Sequence, residues 1–480
     1  MILVEQSVWN IAQTKPGKVA VVSGKNSVTY QQLCCRALSA KEFLSQKLNQ
    51  GDVLILSAGK QIEFLYAYLG AHLSGIIVVP IAPDTNSTRL QHILRETGAK
   101  LLVGFECKDV QVESLPLKEF ADLGESLFSV PPFPDENAVA DILFTTGTTG
   151  LPKGVPLTFN NEAAAARNIN VFVQNTSEDI ELLALPISHS FGLGRIRCCL
   201  SIGSTIIILG SFANVKKLYR TIEENHVTGF TMVPASWRYL KKFSGDTIKK
   251  YADQLRYIEM GSAFFSVEEK QHLANLLPNS RVCMHYGLTE ASRSAFMEFH
   301  EDSENLNTVG KPSPFTEIEI FDEQGNILPT NTEGELCVKG EHVMKGYLNH
   351  PIEGDFFGSY FRTGDWGYKN AEGYICLKSR KKELINVGGK KVSPIEIEDQ
   401  LIKIKGIKDC ACVGVNDPEG ILGEVVKAFI VEEPQAEITF EEIAAQLQGH
   451  IEDYKMPVQY QWIDAIPRTQ SGKIQRFQLL

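Results

Sequence analysis

The sequence predicts an α/β fold in which a large first domain rests on parallel-rich sheets and a small α+β domain closes the chain. Three observations predict it. Short β-branched runs alternate with amphipathic helical segments up to about residue 300, the βαβ pattern of parallel sheets. From about Thr308 the texture changes to short alternating strands with turns, as in Glu317–Phe321 and Gly334–Gly340, which suggests an antiparallel, barrel-like piece. Near Lys378 it changes again, to the charged segment Ser379-Arg-Lys-Lys-Glu383 and then roughly 100 residues of mixed helix and strand, the size of a small domain.

In chain order, Val19–Val22, Val53–Leu56, Ile76–Val79 and Lys100–Val103 read as strands, with Tyr30–Leu48 and Thr88–Thr97 as helices among them. Their unbroken apolar character suits strands buried on both faces. Asp179–Leu185, Ser204–Leu209, Gly229–Val233 and Tyr257–Gly261 continue the alternation, so the first domain reads as two αβαβα subdomains. The last domain begins with a helix started by Pro394. Strands at Cys410–Val415 and Val425–Val431 follow, then a helix over Thr439–Ile451 and a polar tail. The expected division is a first domain of residues 1–379, a linker at 380–382 and a second domain of residues 383–480.

Composition excludes several functions. With 47 basic and 58 acidic residues the formal charge is −11, which disfavours nucleic acid as a main partner, because backbone binding needs a basic face. The N-terminus, Met1-Ile-Leu-Val-Glu-Gln6, lacks the basic and apolar regions of a secretory signal. No run approaches the roughly 18–20 apolar residues of a membrane span. The ten cysteines include the adjacent pairs Cys34-Cys35 and Cys198-Cys199 and the Cys410-x-Cys412 spacing, but no Cys-x2-Cys. That pattern points to reduced thiols in a cytoplasmic protein rather than a disulfide frame or a zinc site.

Five segments carry chemistry. In Phe144-Thr-Thr-Gly-Thr-Thr-Gly-Leu-Pro-Lys-Gly154 the glycines permit close backbone approach, the threonine hydroxyls donate hydrogen bonds and Lys153 adds a point charge, a set suited to a polyphosphate. Pro152 stands where a Walker loop needs its second glycine, so the loop is of another kind. In His285-Tyr-Gly-Leu-Thr-Glu-Ala-Ser292, a strand end offers an aromatic ring for a base, and Thr289 and Glu290 then offer a hydroxyl and a hard oxygen for Mg²⁺. Standing alone, that segment reads as a strand-to-helix junction with Thr289 as the cap. Tyr360-Phe-Arg-Thr-Gly-Asp-Trp-Gly367 places Asp365 in a glycine turn, Arg380 and Lys382 precede the Gly388-Gly389 pair, and Pro467-Arg-Thr-Gln-Ser-Gly-Lys-Ile474 carries Lys473 on the tail. Each has a bland structural reading, as a turn or a solvated charge run.

Their joint occurrence in this order resembles the adenylate-forming superfamily of acyl-CoA synthetases, luciferases and peptide-synthetase adenylation domains. Val28–Leu33, Gly75–Pro83, Thr308–Pro312, Gly334–Gly340 and Gly346-Tyr-Leu-Asn349 echo it, so the resemblance covers nearly the whole chain. It implies an enzyme that joins a carboxylate to AMP from ATP with Mg²⁺, releases pyrophosphate, and passes the acyl group to a thiol. On that resemblance Thr145, Thr146, Gly147, Thr148, Thr149 and Lys153 would hold the β- and γ-phosphates. Gly261, Ser262, Ala263, His285, Tyr286 and Gly287 would frame the adenine. Thr289 would meet the α-phosphate, Glu290 the Mg²⁺, and Asp365 and Arg380 the ribose. Lys473 would be the catalytic lysine, bridging carboxylate and α-phosphate. Lys382 would be the hinge of a mobile C-terminal domain that first presents Lys473 and then the Gly388-Gly389 loop to the thiol; Gly388 departs from the larger side chain of many relatives.

The resemblance also bears on the acid. His189 stands where amino-acid-activating relatives carry an aspartate for the α-amino group, which implies a fatty, aryl or short acyl acid instead. Phe191, Trp237, Met284, Gly261 and His285 are the pocket candidates beside His189. Arg195, Arg197 and Arg293 are nearby cations that would be structural, face the thiol partner or bind a second carboxylate. The thiol would be coenzyme A, or the phosphopantetheine of a separate acyl carrier protein, with Lys390 and Lys391 available to either. A monomer or homodimer is expected. The rival of another class is a relative that binds nucleotide or acyl-adenylate without turnover, which the retention of Lys153, Glu290, Asp365, Arg380 and Lys473 opposes.

Overall fold

The computed structural model describes residues 1–105, 112–145, 152–388, 390–434, 436–469 and 472–480. They divide into two units. The first holds residues up to 317 together with 338–361, and the second holds 318–337 and everything from 362 onward.

Two parallel-rich sheets carry the first unit. The six-stranded sheet runs in the order Glu113–Leu115, Leu101–Val103, Val53–Ser57, Ile77–Ile81, Val139–Phe144, Gly154–Thr158. Its first five strands are parallel and the last is antiparallel. Val53–Ser57 is buried along its whole length, as an apolar run in the middle of a parallel sheet should be. The nine-stranded sheet has six parallel strands at its centre: Arg281–Tyr286, Tyr257–Met260, Gly229–Met232, Ile180–Leu183, Thr205–Ile208 and Val19–Ser23. Antiparallel strands extend it at both ends.

The helices begin where side chains can cap them. Thr29 accepts from the Gln32 amide to open Tyr30–Ser45, Thr158 accepts from the Asn161 amide to open Phe159–Val173, and Ser266 accepts from the Glu269 amide to open Val267–Leu276. Each closes a reciprocal capping box, which satisfies two of the amides a helix start leaves unpaired.

Tyr360–Lys369 pairs antiparallel with Phe356–Phe357 and Ile375–Arg380 inside a five-stranded sheet, the change to antiparallel strands that the sequence leads one to expect after Thr308. The C-terminal part is α+β, as expected. Ile407–Asn416 and Glu424–Glu432 pair antiparallel and pack with the Pro394–Leu401 and Phe440–Leu447 helices around Ile397, Leu401, Cys412, Val426, Ile430 and Ile443.

Several local expectations are corrected. Val19–Ser23 lies in the nine-stranded sheet beside Thr205–Ile208, apart from Val53–Ser57 and Ile77–Ile81 in the six-stranded sheet, because periodicity identifies a strand but not its neighbour. The segment after Glu290 turns into the antiparallel strand Ala295–Glu298, not a helix. The charged segment is ordered: Ser379 and Arg380 end the strand Ile375–Arg380, and Lys381–Glu383 forms one 3-10 turn. The last helix stops at Leu447, and the polar tail supplies a strand, Gln459–Trp462, parallel to Glu424–Glu432.

Among the described residues no helix is long and apolar enough to cross a membrane. The nine described cysteines are all free thiols, eight of them buried.

Candidate active site

The phosphate-loop candidate joins Val139–Phe144 to Gly154–Thr158, with Phe144 and Gly154 as the last strand pair. The Thr145 amide donates to the Lys153 carbonyl at 3.0 Å and closes the mouth of the loop. Thr146, Gly147, Thr148 and Thr149 lie outside the described residues. At the loop's exit the Pro152 carbonyl lies 3.0 Å from Nε2 of His92, which must therefore carry the proton. Lys153 is exposed, and its ammonium sits 4.6 Å from the centroid of the Tyr347 ring.

Glu290 arrives from the other sheet. The strand Arg281–Tyr286 ends at Tyr286, which is 9% exposed. Reciprocal backbone bonds between Leu288 and Ala291 then hold Thr289 and Glu290 at the tip of a tight turn. Gly287 makes the turn possible: a Cβ there would lie 2.4 Å from the Arg293 amide nitrogen. The Tyr347 hydroxyl donates to Oε1 of Glu290 at 2.7 Å. Lys153 and Glu290 therefore meet on one tyrosine.

The pocket candidates converge in part. Phe191 and His285 pack edge to face at 4.6 Å, and Gly261 lets them, since a Cβ at that position would lie 2.2 Å from the imidazole. Ser262 follows in the left-handed region at φ +74, so Gly261-Ser262-Ala263 leaves the strand Tyr257–Met260 through a strained bend. His285 Nδ1 lies 2.7 Å from Glu259. Burial, only partly offset by Glu259, holds the imidazole below its ordinary pKa, so it is neutral at pH 7.

His189 stands at the N-cap of Ser190–Ile202 without a side-chain cap bond. Solvent reaches its side chain, yet the surrounding protein and then the Arg89 charge hold its imidazole below the ordinary value. Met284 is half-buried. Trp237 is 1% exposed, near His272, and its indole N–H has no hydrogen-bond acceptor among the described residues.

The three nearby arginines are engaged inside the protein. Arg195 pairs with Glu181 and, at 3.2 Å, with Glu259. Arg197 pairs with Asp141 and, at 2.7 Å, with Glu162. Arg293 lies 3.2 Å from Glu259 and donates to the Ser190 and Phe191 carbonyls at 3.0 and 2.9 Å. Their role is to neutralise buried carboxylates. Burial pushes the Glu259 carboxyl up, but Arg293, His285 and Arg195 outweigh it and hold it well below the usual carboxylate range.

In the second unit, Asp365 and Arg380 face each other across paired strands, 2.9 Å apart, and Arg380 also donates to the Thr363 carbonyl at 3.1 Å. Lys382 is exposed in its 3-10 turn. Gly388 adopts φ +58 at the tip of the hairpin made by Ile385–Val387 and Lys390–Val392; Gly389 lies outside the described residues. Lys391 pairs with Glu323 at 2.9 Å, and Lys390 lies 4.1 Å from the centroid of the Tyr454 ring. Lys473 is exposed in a closed turn, where the Thr469 amide donates to its carbonyl at 2.8 Å and Gly472 takes φ +87.

The AMP-binding enzyme family matches residues 8–348, and the AMP-binding enzyme C-terminal domain matches residues 396–473. The chain belongs to the AMP-binding enzyme family. It is an AMP-forming acid–thiol ligase of the acyl-CoA synthetase type. This ligase is 30% identical to a 2-succinylbenzoate–CoA ligase of Staphylococcus epidermidis, over 97% of this chain and 95% of that one. It is 29% identical to a 4-coumarate-CoA ligase of Narcissus pseudonarcissus, over 90% of this chain and 84% of that one. Among solved structures it resembles the o-succinylbenzoate CoA synthetase of Bacillus subtilis in complex with its acyl-adenylate intermediate, at a TM-score of 0.89 and 25% identity over 98% of this chain and 97% of that one. It also resembles ATP-bound MatB of Rhodopseudomonas palustris, at 0.88 and 25% over 98% of both chains.

His92, Glu259 and Tyr347 hold groups of the candidate site, yet nothing in the sequence assigns them that work. Tyr347 had the strongest signal, since it stands in the Gly346-Tyr-Leu-Asn349 echo. His92 and Glu259 lie in ordinary helix and strand and had none.

Proposed function

We propose that this ligase activates a fatty, aryl or short acyl carboxylic acid with ATP and then transfers the acyl group to the thiol of coenzyme A. The observation that carries the reading is the meeting of Lys153 and Glu290 at Tyr347, an ammonium for phosphate and a hard oxygen for a divalent cation in one place. In the first step a carboxylate oxygen attacks the α-phosphorus of ATP; the bond to the bridging oxygen breaks and pyrophosphate leaves. In the second, the thiol sulfur attacks the acyl carbon, its proton is lost, and AMP departs.

Both reactants of the first step are anionic, so the protein must hold them together and spread the charge that builds. Lys153, Thr145, Thr146, Gly147, Thr148 and Thr149 take the β- and γ-phosphates in this reading. Tyr286 and the Gly261–Ala263 bend frame the adenine, Thr289 meets the α-phosphate, and Asp365 with Arg380 takes the ribose. Lys473 bridges the carboxylate and the α-phosphate. The residues present fit Mg²⁺: the Glu290 carboxylate is half-buried, Tyr347 occupies Oε1, and Oε2 has no protein partner among the described residues. When bound there, the ion would neutralise charge on the phosphates.

On the acid side, His189 and the neutral His285–Phe191 pair offer no carboxylate for an α-amino group, and the three arginines are already engaged by buried acids. For the thiol, the relatives are named as CoA ligases, which favours coenzyme A. The hinge at 380–382, with Lys382 as the turning residue between domains 1–379 and 383–480, belongs to the same reading.

A hydroxylamine-trapping screen of aryl, fatty and short acyl acids tests it, repeated with coenzyme A and with a holo carrier protein. Hydroxamate that depends on ATP and Mg²⁺, with a thioester formed on coenzyme A, is the expected result. Nucleotide binding with no hydroxamate or pyrophosphate across the panel would overturn it, and a thioester on the carrier alone would overturn the choice of thiol.

A further inference from the structure

Residues 341–349 form a strap across the two elements that present Lys153 and Glu290. Asn161 donates to the Glu341 and Val343 carbonyls at 2.7 and 2.9 Å. Val343 bridges Ala291, and the Met344 amide donates to the Glu290 carbonyl at 2.9 Å. The Leu348 amide donates to the Gly154 carbonyl at 2.9 Å, just after Lys153. Asn349, at φ +56, donates to the Glu96 carbonyl at 2.8 Å, on the helix whose His92 meets Pro152. The strap is thus fastened to the metal-side turn at one end and to the exit of the phosphate loop at the other.

Tyr347 is the side chain this strap aims between the two groups. From this geometry we infer that Tyr347 is a positioning residue that holds Glu290 and Lys153 ready for the metal–nucleotide complex, an inference that rests on the nucleotide reading above. Its two ends do separate work. The hydroxyl takes one oxygen of Glu290 and fixes the carboxylate, leaving Oε2 for a cation. The ring face attracts the Lys153 ammonium, which is otherwise a flexible, exposed side chain, and narrows the positions it samples before phosphate arrives. Ordering both groups in advance removes that cost from the binding step.

Because the two ends act on different partners, two substitutions separate them. Tyr347→Phe keeps the ring and loses the hydroxyl; Tyr347→Leu loses both. Calorimetric titration of ATP into the full-length protein, with Mg²⁺ and with EDTA, gives each contribution without any need to know the acid. In Tyr347→Phe the gain in ATP affinity that Mg²⁺ brings should shrink by about 3- to 10-fold, the size expected for losing one hydrogen bond of ordinary net strength, with Mg²⁺-free affinity unchanged. In Tyr347→Leu the Mg²⁺-free affinity should fall as well, by about 2- to 5-fold for a lost cation–π contact.

Thermal melts establish that each variant is folded; if Tyr347→Leu is not, Tyr347→Phe decides alone, because it changes a single atom. A Tyr347→Phe protein with the wild-type or a larger Mg²⁺ gain would overturn the inference, as would a Tyr347→Leu protein that binds Mg²⁺-free ATP as Tyr347→Phe does. Failure of the wild-type protein to bind ATP with Mg²⁺ is a separate result and would overturn the nucleotide reading, and this inference with it.

Discussion

Gly261 shows how much one missing side chain decides. The position reads in the sequence as the end of the strand Tyr257–Gly261. What the sequence does not reveal is that the approaching group is the His285 ring, 24 positions later, at 2.2 Å from where a Cβ would stand. His285 is itself held by Glu259 and packed on Phe191, so it has little room to retreat. Gly261→Ala should therefore overpack the site and destabilise the protein by about 1–3 kcal/mol, with a larger loss of acid-dependent pyrophosphate release than of nucleotide binding. Urea melts and pyrophosphate assays check this; an alanine variant with unchanged stability and turnover would show that the ring relaxes freely.

At the scale of elements, one buried cluster ties the first unit together. His72, on Glu63–Leu73, lies 2.7 Å from Glu5 on Val4–Thr14 and 3.3 Å from Asp141 on the strand Val139–Phe144, which precedes the phosphate-loop candidate. Tyr68 donates to Asp141 at 2.8 Å, and Arg197, on the helix that His189 caps, pairs with Asp141 and Glu162. Burial works against charge on His72, but Asp141 and Glu5 outweigh it and raise its pKa to about 10. A folded-state value above the unfolded 6.5 stabilises fully below pH 6.5, and that contribution is lost as pH rises through about 10. His72→Ala should cost about 3–5 kcal/mol near neutral pH, because it strands buried carboxylates, and the cost should shrink at alkaline pH. Denaturant unfolding of both proteins across that range measures it; a difference that grows with pH would contradict the assignment.

The cluster also marks what elements reveal in advance. Helices, strands and the order of the five motif segments are legible, because each is written in local periodicity or in contiguous residues. The pairing of His72 with Asp141 spans 69 positions and leaves no periodic trace, and neither does the placement of Val19–Ser23 in the second sheet. Arg195 and Arg197 read as spare cations for the same reason. Their partners Glu181, Glu259, Asp141 and Glu162 sit inside apolar runs or on helices, where sequence gives no hint that they turn inward. Tyr347 was visible as part of a motif, but its work is defined by Lys153 and Glu290, far away in the chain.

Across the whole molecule, the proposed chemistry draws on both units. The first offers the phosphate-loop lysine, the metal-side carboxylate and the acyl pocket. The second offers the Asp365–Arg380 pair and Lys473, exposed on its turn. In the proposed reaction these tail and hinge groups serve different steps, so their losses should separate. Lys382→Pro, which restrains the backbone at the proposed hinge, should spare adenylation and block transfer to the thiol. The most direct measurement is the mirror case, the two half-reactions of Lys473→Ala assayed separately on an acid that the wild-type protein activates. The account predicts that acyl-adenylate formation falls by about 10²–10³-fold or more while a supplied acyl-adenylate is still transferred to coenzyme A. Equal loss in both half-reactions, or adenylation at the wild-type rate, would contradict it.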